Sequence, residues 1–437
     1  MSTPPVRIRW KGRLSALGAP DRRGLLARAA SADPEIRKRT TAVIDRVLRE
    51  GDDALRAMAR EFDRVLDLRE IEVPRAEWQR AFDALDPSLR AALERSARNI
   101  ERVHHAFLPT AQQVQSEPGI EIGRRPDPLG RVGVYAPGGR AAYPSSLLMG
   151  AVPARVAGVG EVIVCSPPQG ATGMPSDVVL AAALLARADR VFALGGPGAI
   201  AAMAYGTATV PRVDRIVGPG NAYVAEAKLQ VSSVVAIDSP AGPSELLVLA
   251  DASAEPGLVA RELLAQAEHD PLAAVILVTT SERLAAEVER ELAARVGAEP
   301  RAGVIREALA AQGALLVADS LDEAITFSNA YAAEHLLLVV ADTDAVLGRL
   351  RNAGTVFVGS SASVAFGDYM TGANHVLPTG GLARSYSGLS TLDFVRWTTW
   401  QRVTPAAAAS LSRDVGIFAD AEGLPGHAGA ARAWGET

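Results

Sequence analysis

Residues 130–166, GRVGVYAPGGRAAYPSSLLMGAVPARVAGVGEVIVCS, decide the fold class. Two short apolar runs, 132–135 and 162–165, flank a longer segment that carries alanine and leucine. Glycine and proline punctuate both joints, so the stretch reads as strand, helix, strand. A crossover helix between two apolar strands implies parallel pairing in a sheet covered on both faces.

The same alternation runs on through candidate strands at 191–194, 234–237, 246–250, 274–279, 315–318, 336–340 and 355–358. The fold class is therefore α/β with mainly parallel sheets. Ser239-Pro240-Ala241-Gly242-Pro243-Ser244 interrupts the series and reads as a hinge between two such units. A short echo supports two halves, because Ala267-Glu268-His269 and Ala333-Glu334-His335 each precede an apolar strand. Upstream, Asp33-Pro34-Glu35 is an N-cap, a proline at the first helical position and an acidic first turn. Ile36, Val43, Ile44, Val47 and Leu48 follow at helical spacing, and Gly51 stands where a C-terminal cap belongs. A second helix is expected over 87–107. Residues 1–32 read as an arm and the last fifty or so as a small helical tail.

At 437 residues the chain exceeds a single compact core. A formal net charge of −5 argues against nucleic-acid or anionic-membrane partners, which require a basic footprint. Cys165 is the only cysteine, which excludes an intrachain disulfide and multi-thiolate zinc sites. The first thirteen residues lack the apolar core of a signal peptide, and no apolar run reaches the roughly 18 residues that span a bilayer. A cytoplasmic location is expected.

The six histidines carry most of the chemistry. His104 and His105 lie within a helical stretch and read as structural or surface residues. Gln266 and His269, at i and i+3, share one face of a helical turn, so a side-chain oxygen and an imidazole can reach one metal ion. Glu334-His335 pairs a carboxylate with an imidazole ahead of an apolar strand, a proton-transfer pairing. The glycine-bracketed loop 367–375 offers Asp368 as a hard oxygen ligand and His375 as a further polar contact. Glu422 and His427 fall in the tail. Histidines beside Gln, Glu and Asp, with no cysteine near, suggest an N/O-ligated zinc site.

Three glycine loops follow strands. Gly196, Gly198 and Ala201 fit the G-x-G-x-x-A form of a dinucleotide fingerprint, although the nearest acidic residue downstream is Asp214. An ordinary glycine turn fits the same residues. Gly218-Pro219-Gly220-Asn221 is a second loop, and the third, from Gly133 to Gly139, contains Tyr135. Loops at strand ends place a ligand along one edge of the sheet. Cys165, inside an apolar strand, reads as a core thiol.

Read together, these motifs resemble the histidinol dehydrogenase family. The resemblance runs from Asp33 to His427 and rests above all on Gly218-Pro219-Gly220-Asn221-Ala222, Pro240-Ala241-Gly242-Pro243-Ser244-Glu245 and Asn374-His375-Val376-Leu377-Pro378-Thr379. It implies a homodimer of two incomplete Rossmann-like domains with parallel sheets, plus small terminal segments exchanged between subunits. The implied division is an arm over 1–32, a catalytic zinc-binding domain from 33–130 with 246–380, an NAD-binding domain over 131–245, and a tail over 381–437 that completes the partner's site. The resemblance further implies one zinc per subunit on Gln266, His269 and Asp368, with His427 arriving from the partner. Glu334 and His335 match the acid–base pair. Gln266, His269, Glu334, His335, Asp368 and His427 also count among the substrate contacts, joined by Ser244, His375 and Glu422. Tyr135, Gly198 and Asn221 match cofactor contacts.

The implied reaction is the NAD-linked four-electron oxidation of L-histidinol to L-histidine. Two departures stand out. Gly198 replaces a glutamine that in the family commonly contacts the cofactor, and Ala333 replaces a frequent proline beside the catalytic pair. Two other readings fit the same residues: oxidation of another polar alcohol such as a sulfonated diol, and a zinc hydrolase in which the glycine loops would be idle.

Overall fold

A computed structural model describes residues 6–28, 33–66, 68, 70–138, 142–170 and 172–435. Gly139 of the Gly133–Gly139 loop, and residues 1–5 and 29–32 of the expected arm, lie outside the described residues. In chain order the strands are β1 (Trp10–Arg13), β2 (Gln112–Glu117), β3 (Ile120–Pro128), β4 (Arg131–Tyr135) and β5 (Glu161–Ser166). They continue with β6 (Arg190–Ala193), β7 (Arg215–Val217), β8 (Ala236–Ile237), β9 (Glu245–Ala250) and β10 (Ala274–Thr279). The last four are β11 (Gly313–Val317), β12 (His335–Val339), β13 (Thr355–Val358) and β14 (Val395–Val403).

Two parallel sheets dominate, and they are wound alike. The smaller has the order β6-β5-β4-β7-β8; the larger runs β11-β10-β9-β12-β13, with β1 added beyond β11. Each sheet builds outward from its first strand, then returns to that strand's other side, which creates a switch point at β4/β7 and another at β9/β12. The central strands β9 and β10 are buried along their whole length, so they read as unbroken apolar runs. Alternate side chains of the larger sheet feed two cores. Leu246, Val248, Val275 and Leu277 face one, and Leu247, Leu249, Ile276 and Val278 the other.

The helix Pro34–Glu50 begins as its sequence dictates, with the Asp33 carboxylate accepting from the Glu35 amide at 2.9 Å, and it ends at Gly51 with φ of 55°. In the helix Pro87–Ala106, Asp86 caps the Ser88 and Leu89 amides. With the helix Asp52–Phe62 between them, these helices bury Ile44, Val47, Leu55, Met58 and Ile100 in one core with Val132, Val162 and Val191 of the smaller sheet. The sequence reading grouped 33–130 with 246–380; the apolar stripes of these helices are instead satisfied by the sheet that follows them in the chain. The expected arm is likewise integrated, since β1 pairs with β11, and Trp10, Leu14 and Leu25 are buried against the larger sheet.

A third sheet, antiparallel in the order β14-β3-β2, had no counterpart in the sequence reading. Its strands lack an apolar alternation, and β2 is exposed throughout. Arginine–tryptophan stacking holds it instead: the Arg124 guanidinium lies 4.4 Å from the Trp397 ring, and any Cβ at Gly123 would collide with the Trp400 indole. β14 leads into the tail helices Pro405–Ala421 and Pro425–Ala433. Among the described residues no helix is long and apolar enough to cross a membrane.

His104 is 2% exposed, and neither ring nitrogen has a hydrogen-bond partner. Burial lowers its pKa from 6.5 to about 4. As pH falls below 6.5 the unfolded chain therefore binds this proton first, and stability is lost between pH 6.5 and pH 4. At pH 4.5 the deficit is about 2–3 kcal/mol. His104→Leu should recover that amount in urea denaturation at pH 4.5 relative to pH 7; an unchanged difference between the two pH values would contradict it.

Candidate active site

β9 and β12 are neighbours, with His335 in register with Leu246, so the residues that enter both strands are pressed together. The Glu334 carboxylate accepts the Glu245 backbone N–H at 2.7 Å, and the Glu334 N–H is 3.4 Å from the Glu245 carboxylate. His335 Nδ1 sits 3.1 Å from the Glu245 carbonyl oxygen and 3.4 Å from Glu334. A carbonyl can only accept, so the neutral imidazole carries its proton on Nδ1 and presents the Nε2 lone pair. That Nε2 is buried without a hydrogen-bond partner, 3.7 Å from Asp368 Oδ1. Burial alone would lower the pKa of this imidazole. Glu334, Asp368 and the Glu245 carbonyl outweigh burial and raise it to about 9, so near neutral pH the ring is protonated and Nε2 serves as a base only once that proton is released.

The residue two before Glu334 carries the turn. Ala332 adopts φ of 54° at the end of the helix Leu321–Tyr331, a left-handed conformation that costs a side-chain-bearing residue about 1–2 kcal/mol. Ala333, the departure from the family's proline, is fully buried, and its carbonyl accepts from the Gly354 N–H.

Asp368 stands on the helix Val364–Tyr369, whose first amide donates to Glu262 of the helix Pro256–Ala267 at 3.1 Å. That second helix ends at Gln266, which is 3% exposed with an unpartnered Nε2; His269, one turn on, is exposed. Burial and the fields of Asp368, Tyr143 and Glu268 raise the pKa of the Tyr369 phenol, so both helix ends share one side of the site. Among the described residues no three His, Cys, Asp or Glu side chains form a metal-holding group. Gln266 Oε1, the His269 imidazole and the Asp368 carboxylate are the atom types of an N/O donor set.

His375 is a bridge in this structure. Its Nδ1 is 2.9 Å from the Asp368 carbonyl and its Nε2 is 3.2 Å from Ser146 Oγ. Both nitrogens are thus engaged within the chain, and burial lowers its pKa. Asn374 donates to the Met149 carbonyl at 2.7 Å, and Asn99 to that of Met370 at 2.7 Å. These contacts fix the loop onto the helices Pro144–Val156 and Pro87–Ala106, the first of which is the next helix after β4 in the chain. Ser244 is part-buried beside Glu245, and its carbonyl accepts from Ala274.

Facing this cluster are the carboxyl ends of β4, β6 and β7. The Tyr135 phenol accepts from the Gly196 N–H at 3.1 Å, and burial raises its pKa to about 12. Gly196 (φ +59°) has open space where a side chain would be, whereas at Gly218 (φ +116°) a Cβ would strike the Tyr135 carbonyl oxygen. Asn221 Oδ1 caps the following helix through Tyr223 and Val224. Gly198 faces away from the crevice: it is buried, and a Cβ there would lie 2.9 Å from Met58 Sδ. Cys165 is fully buried, and its thiol pKa is pushed far up, as befits a core residue.

Sequence reasoning missed four residues that hold these groups: Ser146, Glu245 as a partner of Glu334, Lys228 and Asp238. Lys228 and Asp238 form a buried ion pair; Lys228 also donates to the Gly218 carbonyl at 3.0 Å, and Asp238 accepts the Gly218 N–H at 2.8 Å. A lysine amid an apolar helix and an acid closing an apolar run were the available signals. Glu422 and His427 are exposed on the tail and, among the described residues, make no hydrogen bond or ion pair with the cluster.

The histidinol dehydrogenase family model matches residues 26–434. Histidinol dehydrogenase of Halobacterium salinarum is 50% identical over 412 residues, covering 94% of this chain and 96% of the relative. That of Methanosarcina mazei is 48% identical over 394 residues, 90% of each. The crystal structure of histidinol dehydrogenase from Elizabethkingia anophelis superposes with a TM-score of 0.93 at 33% identity and covers 98% of both chains.

Lys228→Met would leave Asp238 buried and unpaired, a loss of about 3–5 kcal/mol. Urea denaturation should show that loss, with most of it recovered in Lys228→Met/Asp238→Asn. A single variant of parental stability would contradict the clamp.

Proposed function

The chain belongs to the histidinol dehydrogenase family, and we propose that it oxidises L-histidinol through the aldehyde to L-histidine with two NAD⁺ and one water, as a step of histidine synthesis. One observation carries the reading: buried His335, fixed through Nδ1 by the Glu245 carbonyl and flanked there by Glu334, presents an unpartnered Nε2 beside the Asp368 carboxylate.

Zinc held by Gln266, His269, Asp368 and His427 of the partner subunit would anchor the substrate's imidazole and amine and orient its alcohol carbon. NAD⁺ along the glycine-loop edge, beside Tyr135 and Asn221, would accept each hydride. His335 removes the hydroxyl proton at Nε2 in the first oxidation. Glu334 acts in the second, taking a proton from the water that attacks the aldehyde carbon. Ser244 and His375 shape the substrate's surroundings, and Glu422 of the partner subunit offers an anion to its ammonium. The reading includes a homodimer, in which the exposed Glu422 and His427 of one tail reach the other subunit's site. Gly198 reaches no cofactor with a side chain of its own, so nucleotide binding rests on the backbone of the Gly195-Gly196 and Gly218-Pro219-Gly220 loops.

Assayed with L-histidinol, the protein should form two NADH per histidine, lose activity on chelation and regain it with zinc. His335→Asn should slow alcohol oxidation by roughly 10²–10⁴-fold, while Glu334→Gln slows aldehyde oxidation more than alcohol oxidation. Zinc-dependent hydrolysis without NADH, or turnover of a sulfonated diol but not of histidinol, would overturn the assignment.

A further inference from the structure

Glu334 is 6% exposed, and Glu245, whose backbone N–H its carboxylate accepts, carries a second and even more deeply buried carboxylate at 3%. Two neighbouring buried anions repel each other and both lose hydration, so the arrangement requires a compensating cation. The cation comes from the far end of the chain. Arg28 Nε is 2.9 Å from Glu245 Oε1, and its Nη2 is 3.2 Å from Oε2, so the guanidinium meets the carboxylate as a two-pronged fork. The Arg28 side chain is itself only 5% exposed. Nη2 donates as well to the Tyr331 carbonyl at 2.8 Å, and the guanidinium stacks 3.2 Å from the centre of the Tyr331 ring. Nη1 donates to the Leu25 carbonyl at 3.3 Å.

Glu245 then distributes that charge. Its Oε1 also accepts from the Gly380 N–H at 2.8 Å, and its Oε2 faces the Glu334 N–H. Its own backbone N–H and carbonyl hold the Glu334 carboxylate and the His335 ring. Arg28 therefore grips the catalytic dipeptide on both sides, at Tyr331 three residues before Glu334 and through Glu245 at Glu334 itself. Between them lies Ala332, in a left-handed conformation that needs support from outside.

We propose that Arg28 is a positioning residue for Glu334 and His335, acting through Glu245, and that the N-terminal segment is thereby part of the active-site machinery. The proposal rests on the reading of Glu334–His335 as the acid–base pair. Without the guanidinium, Glu245 must take up a proton or move. Either response releases the Glu334 amide and lets the dipeptide drift from its working geometry.

The test is a kinetic cycle on the zinc-loaded protein. Arg28→Met should lower kcat for L-histidinol oxidation by roughly 10- to 100-fold, the cost of a displacement near 1 Å. Calorimetric affinity for L-histidinol should stay within about threefold, because Ser244 and His375, substrate contacts outside the displaced dipeptide, are untouched. Arg28→Lys, which keeps the charge and loses the fork, should fall between parent and Met, and it carries the cycle if the Met variant does not fold. In a Glu334→Gln background the Arg28 substitution should have little further effect on aldehyde oxidation, since both changes disable one device. Full kcat in a folded Arg28 variant, or effects that multiply in the double variant, would overturn the proposal. If Glu334→Gln alone retained full turnover, the assignment of the acid–base pair would be what failed.

Discussion

The hydrogen bond from the Glu245 amide to the Glu334 carboxylate, 2.7 Å long and buried, is the constraint on which the rest of the site depends. It exists because β9 and β12, whose first residues are 90 positions apart, are adjacent in the sheet. A carboxylate moved out of water must recover its hydrogen bonds from the protein. Here it recovers one from the strand beside it. The same stretch of backbone then supplies the carbonyl that sets the tautomer of His335 and leaves Nε2 free. Strand order thus decides which nitrogen can act as a base.

The two parallel sheets share a winding but use opposite edges. In the smaller sheet the carboxyl ends at the switch point carry Tyr135 and the Gly218 loop, where the backbone is exposed and side chains are small. In the larger sheet the corresponding carboxyl edge is closed by Asp251, which accepts from the Ser253 N–H at 2.9 Å and the Ala341 N–H at 2.8 Å. Its cluster of polar side chains, Glu245, Glu334 and His335, stands instead at the amino edge. His375, Ser146 and Asn374 join the two edges across a single loop–helix contact.

Much of this was legible beforehand. The parallel strands read correctly because buried strands are apolar on both faces, and the helix at Asp33 because its cap and proline act locally. Glu334, His335, Gln266 and Asp368 were visible as polar residues at strand and helix ends. What escaped depends on contacts between distant segments. β1 is four residues long and contributes one large apolar side chain. The antiparallel sheet is held by arginine–tryptophan stacking, which leaves no alternating pattern. Which sheet buries the helices of 34–106 cannot be read from their amphipathic stripes, since any apolar face would serve. Lys228, Asp238 and Arg28 draw their meaning from partners elsewhere in the chain.

Glu422 and His427 remain the residues whose role one chain cannot express. If the tail completes a neighbouring site, each active site contains the body of one subunit and the tail of the other. Subunit mixing tests this most directly. A chain inactivated at His335 and a chain inactivated at His427 should, after dissociation and random reassociation, regain about a quarter of parental activity, since half the dimers would carry one intact site of two. Folded, mixed dimers that stay inactive would contradict the shared site.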